Sequence, residues 1–156
     1  MFLTVHSTTA IALTQNINNP AGAFFIGLLS HYILDSIPHG DEIFEKLGIK
    51  GMAKLAILDH IGVIIILTTI FLFKPDFIFT PSIIFAIIGA MLPDWIMGTY
   101  ELLNKNYKKK FKKIKKILEP LHILHNSVHC IIKYNINFPI GIIFQIIFLA
   151  GFWWLI

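Results

Sequence analysis

The chain has 156 residues, of which 56% are hydrophobic and 14% charged, and its mean hydropathy is +0.73; a soluble domain averages about 45–50% apolar and about 25% charged residues. This composition excludes disorder, a collagen-like fibre and a typical cytosolic enzyme, and predicts one integral membrane domain over residues 1–156. The net charge is +4 with histidine neutral, but every basic residue is Lys, and without guanidinium forks a sequence-reading nucleic-acid domain is not expected.

Apolar stretches follow one another along the chain. The first runs from about Phe2 to Asn16 and ends at Asn18-Asn19-Pro20; the second runs from Ala21 to Ile37 and ends at Pro38. The third, about Met52 to Phe73, stops before Lys74-Pro75-Asp76, the fourth runs from near Pro81 to near Tyr100, and the last from Asn137 to the C-terminus. A bilayer core takes about 20 helical residues, so the last three qualify as spans, while the first two are short and tilt or insert in part. The predicted fold is therefore all-α, a polytopic bundle of four to five membrane helices. Residues 1–20 carry no Lys or Arg, lack the positive flank of a signal peptide, and read as part of the mature protein. Cys130 is the sole cysteine, which rules out an intrachain disulfide and suits a small buried apolar residue.

The segment Lys105 to Glu119 has a different character. Tyr107, Phe111, Ile114, Ile117 and Leu118 fall at helical spacing and lysines fill most of the remainder. This predicts an amphipathic helix on the membrane surface, with Lys105–Lys116 meeting anionic lipids; the alternative is a solvated basic loop that only fixes topology. If the spans alternate and this loop is cytoplasmic, Lys46, Lys50, Lys54 and Lys133 fall on the same side and only Lys74 falls outside. The N-terminus is then inside.

On that topology nearly all the polar residues collect toward the cytoplasmic ends: His6, His31, Asp35, His39, Asp41, Asp59, His60, Asp94, His122, His125 and His129, with Asp76 the exception. Ionisable groups in a membrane are costly and need partners. Imidazole and carboxylate together suit a divalent transition metal. His31 and Asp35 stand four residues apart, on one helix face, and His122, His125 and His129 share another. Asp94 follows Pro93, where a bent or ending helix turns its carboxylate inward. Each of these residues also has a plainer reading: a lone intramembrane His is commonly a hydrogen-bonded core residue, Asp59 could orient a ligating His, and His39 and Asp41 could be surface turn residues.

The stretch Gly27-Leu-Leu-Ser-His31-Tyr-Ile-Leu-Asp35-Ser-Ile-Pro38-His39-Gly-Asp41 resembles a motif of bacterial membrane-bound metal-dependent hydrolases, small inner-membrane proteins. Gly89-Ala-Met-Leu-Pro93-Asp94 resembles that family's Gly-Ala-x-x-Pro-Asp motif, and an early His (His6) and a late His pair also recur there. The late pair departs from the family pattern: His125-Asn-Ser-Val-His129-Cys130 has no Arg and a shorter spacing. There is a fainter similarity to the all-α zinc phospholipases C and zinc nucleases, which also use a His-x-x-x-Asp helix pair. These resemblances imply hydrolysis of phosphoesters; the lysine topology predicts that the site faces the cytoplasm, and the lysine helix, which would draw anionic headgroups toward it, makes a lipid phosphate the expected substrate.

The expected metal ligands are His6, His31, Asp35, Asp94, His125 and His129. They would hold one or two divalent ions, most simply zinc, with Asp41, Asp59 or His39 as proton acceptor. Two other readings stand beside this one. One is a metal-ion or proton transporter; the other is a non-catalytic membrane scaffold whose metal is structural.

Overall fold

The computed structural model describes residues 1–40, 47–106, 111–129, 131–132 and 136–156. Among them lie six helices and no strand: α1 (Leu3–Thr14), α2 (Pro20–Asp35), α3 (Gly48–Phe73), α4 (Pro81–Asn106), α5 (Lys112–His129) and α6 (Phe138–Leu155). The helix starts follow local chemistry. The Asn19 side chain accepts from the Ala21 and Gly22 amides at 3.0 and 3.2 Å, with Pro20 in the first turn. Asn137 caps α6 through the Ile140 amide, at 3.2 Å, and Thr80 receives the Ile83 amide at the start of α4.

Three helices, α3, α4 and α6, are long and apolar enough to cross a membrane, fewer than the four to five expected. The reason is length. α1 has 12 residues and α2 has 16, short of the roughly 20 that a bilayer core takes. The three long helices turn bulky apolar side chains outward: Ile64, Phe71, Ile147 and Trp154 are each more than half exposed. That distribution suits a hydrocarbon surrounding.

The polar interior complements this exterior. α1 is buried almost all round and carries His6, Ser7, Thr8, Thr9 and Thr14 inside. Its hydroxyls return to its own backbone: Ser7 donates to the Leu3 carbonyl, Thr8 to that of Thr4 and Thr14 to that of Ala10. Small residues let α1, α2 and α4 approach closely. Ala10, Ala23, Ala86 and Ala90 are fully buried against one another, the packing that membrane helices favour. This close junction of α2 and α4 is what brings their polar side chains together.

Candidate metal centre

The last turn of α2 presents His31 and Asp35 on one face, with His31 Nε2 3.0 Å from Asp35 Oδ2 and both side chains wholly buried. From α4, Asp94 places Oδ1 3.8 Å from His31 Nε2. From α5, His125 Nε2 lies 3.8 Å from both Asp35 Oδ2 and Asp94 Oδ1, and His129 Nε2 lies 3.1 Å from Asp35 Oδ2. On the far side of the carboxylate, His6 of α1 places Nε2 3.0 Å from Asp35 Oδ1 and stacks on His31 with ring centroids 4.0 Å apart. The Met1 nitrogen is 2.7 Å from the same oxygen and 2.6 Å from His39 Nε2.

Among the described residues, two groups of donor atoms could hold a metal ion. One is His31, Asp35, Asp94 and His125; the other is Asp35, His39 and His129, and Asp35 belongs to both. A tetrahedral shell with bonds of about 2.0–2.1 Å sets neighbouring donors about 3.3 Å apart. Four of the six spacings in the first group are 3.0 to 3.8 Å, on either side of that value, and all six are within 4.8 Å.

The protonation logic points the same way. His31 Nδ1 lies 2.8 Å from the Ala90 carbonyl. A carbonyl only accepts, so Nδ1 carries a proton, and when the ring is neutral its Nε2 lone pair turns toward Asp35. A metal-ligating imidazole is commonly held by such a bond from its other nitrogen. His31 Nε2, Asp35 Oδ2 and both ring nitrogens of His6 are buried without a hydrogen bond. A lone pair facing a carboxylate oxygen at 3.0 Å is repulsive unless a cation stands between them. Protonating every imidazole would bury more positive charge than Asp35 and Asp94 offset, the more so because the Met1 ammonium already pairs with Asp35 Oδ1. Burial pushes the His125 imidazole down to about 4, only partly opposed by the Asp35 carboxylate, so at pH 7 His125 is neutral and offers a lone pair. The donors are all N and O, which suits zinc and its first-row neighbours.

Other expected site residues lie elsewhere. Asp59, in α3, accepts from the Leu3 amide at 2.6 Å, the Thr4 amide at 3.0 Å and the Thr4 hydroxyl at 2.6 Å. Its carboxylate thus caps α1, which has no cap from its own Phe2 side chain. Asp59→Ala is expected to lower stability by about 1–2 kcal/mol and to leave metal stoichiometry unchanged, as measured by denaturation and elemental analysis of the same preparation. His60 donates from Nδ1 to the Ala56 carbonyl and accepts from Trp95 Nε1 at 3.0 Å. His122 stacks on Tyr100 and faces Glu101 Oε1 at 3.4 Å. Asp41 and Cys130 lie outside the described residues.

One positioning residue is absent from the expected site. Gln145, buried in apolar α6, receives the Phe2 amide at 2.8 Å and donates to the His39 carbonyl at 3.3 Å. It ties the start of α1 and the turn after α2 to α6. A polar residue within an 18-residue apolar helix was the available clue, since such a residue needs a partner inside. No known protein family, curated protein or solved structure matches this chain.

Proposed function

We propose that the protein is a membrane-bound metal-dependent hydrolase whose His31, Asp35, Asp94 and His125 hold a zinc ion. The observation that carries this reading is the buried His31 Nε2 lone pair, fixed by the Ala90 carbonyl and aimed at an equally unpartnered Asp35 oxygen. When bound, a divalent ion supplies Lewis acidity to a phosphoryl oxygen and acidifies water. The chain's own groups do the rest. His39 Nδ1 donates to the Ile37 carbonyl at 2.7 Å, which turns the Nε2 lone pair toward the Met1 nitrogen, 2.6 Å away. Asp35 and Asp94 offset the metal's charge, and the buried His6 backs the Asp35 carboxylate.

A lipid phosphate is the proposed substrate class. A cleft of about 340 Å³ between α1, α3 and α6 is lined mainly by apolar residues, among them Phe2, Val5, Leu58 and Leu149. Gln145 lies in its wall and bonds to the His39 carbonyl, so an acyl chain in the cleft would end beside the site. The proposed setting is the inner membrane, with the lysine-rich side and the site toward the cytoplasm.

The test is to purify the protein, measure bound metal, and assay phosphomonoesters, phosphodiesters and phospholipids before and after chelation. Expected is stoichiometric metal, with hydrolysis that chelator abolishes and zinc restores. Metal-loaded protein that hydrolyses none of these, and instead carries zinc into sealed vesicles, would favour transport and overturn the hydrolase.

A further inference from the structure

The helix that supplies His125 to the site also carries a surface of a different kind. Around the axis of α5 three arcs follow one another, at about 100° per residue. Leu118, His122, His125 and His129 face α2 and α4: His122 stacks on Tyr100, and His125 is 4% exposed. The next arc is an apolar stripe of Ile114, Ile117, Leu121 and Leu124, all exposed, with Ile117 at 71%. The third arc holds the exposed Lys112, Lys113 and Lys116. Lys115 is turned instead toward α4, bonding Asn104 Oδ1 at 2.6 Å and lying over the Tyr100 ring.

An apolar stripe edged by lysines is the pattern of a helix lying in an anionic lipid interface. The occupant follows from charge and from continuity. The lysines call for negative charge, and the stripe adjoins a bundle whose long helices already present bulky apolar side chains to hydrocarbon.

We propose that α5 docks on anionic lipid headgroups through Lys112, Lys113, Lys116 and the Ile114–Leu124 stripe, and that this docking holds His125 and His129 at the metal centre, so that anionic lipid and metal each strengthen the binding of the other. The proposal rests on the metal reading above. α5 is held to the other helices chiefly along α4, through His122, Lys115 and the site itself. Orienting it from its lipid side therefore reduces what metal binding must order, and linkage makes the effect reciprocal. A lipid-attached substrate would then meet a metal-loaded site mainly where anionic headgroups are present.

The test titrates Co²⁺, followed by its visible absorption, into protein in nanodiscs of phosphatidylcholine, with or without phosphatidylglycerol. Wild type is compared with the triple variant Lys112→Gln, Lys113→Gln, Lys116→Gln. Anionic headgroups concentrate divalent ions at any surface, so the reading is the affinity gain of wild type relative to that of the variant. A relative gain of about tenfold is expected. Equal gains with intact Co²⁺ binding overturn the coupling and leave the metal site standing. No Co²⁺ binding in either lipid overturns the metal reading and the coupling with it. A fluorophore on Ile117→Cys, in a Cys130→Ala background, reads docking separately. Quenching by brominated lipid in anionic discs is expected. Shielding from both brominated lipid and iodide would mean that a second copy or another protein covers the stripe, which also overturns the proposal.

Discussion

Asp35→Asn is expected to strip the protein of metal, lowering zinc affinity by more than about 100-fold, since even outer-shell partners of a metal site are worth about 10- to 100-fold. No other residue has the same reach. Asp35 Oδ2 lies within 3.1 Å of His31 and His129 and 3.8 Å from His125, while Oδ1 lies 3.0 Å from His6. It alone belongs to both candidate ligand groups. Asn keeps the volume, removes the charge and leaves one oxygen in place of two, so the imidazoles lose the anion that makes a cation welcome among them. Asp94→Asn removes one ligand from one group and is expected to weaken binding less. Equilibrium dialysis against zinc, with circular dichroism to show that the helices persist, makes the comparison. Wild-type zinc retention by Asp35→Asn would remove the carboxylate from the ligand set.

The second large effect is expected at the helix contact that assembles the site. A Cβ on Gly27 would sit 2.1 Å from the Ala86 carbonyl oxygen, and one on Gly89 would sit 2.2 Å from that of Phe24. Both obstacles are backbone, so no side chain can swing away and the helices must part. Gly27→Ala and Gly89→Ala should each destabilise the fold by about 1–3 kcal/mol. They should also weaken metal binding, because His31 and Asp35 ride on α2 while Asp94 and the Ala90 carbonyl ride on α4. Gly98 and Gly151 serve as controls, since a Cβ there meets nothing within 4 Å. Alanine at either should be neutral or add about 0.5–1 kcal/mol through its helix preference. Thermal unfolding in detergent, with cobalt titration of the surviving folded protein, separates the two consequences. Equal behaviour of Gly27→Ala and Gly98→Ala would mean that the close approach of α2 and α4 does not matter.

The parts of this site legible in the sequence are those that one helix can specify alone. His31 and Asp35 stand one turn apart, and that spacing became a 3.0 Å pair; His125 and His129 share a face of α5 for the same reason. The long apolar segments read as helices because their length leaves few alternatives. What depends on how helices meet was hidden. α1 carries polar side chains and yet is buried, with Ser7, Thr8 and Thr14 bonding to its own backbone and Ala10 packed against Ala23, Ala86 and Ala90; no amphipathic face announces that. The partners of Asp59 are backbone amides and the Thr4 hydroxyl of a helix 55 residues or more away in the chain, a contact no local pattern shows. His39 stands among metal-capable donors with Asp35 and His129, a grouping that no single helix specifies, in a turn whose carbonyl is held by Gln145.

Elemental analysis of the wild-type protein, purified without added metal and then dialysed against zinc, tests the central claim most directly when combined with X-ray absorption at the zinc edge. The account predicts at least one zinc per chain in a shell of nitrogen and oxygen at about 2.0–2.1 Å with no sulfur. Folded protein that takes up no zinc, or zinc seen with a sulfur neighbour, would contradict it.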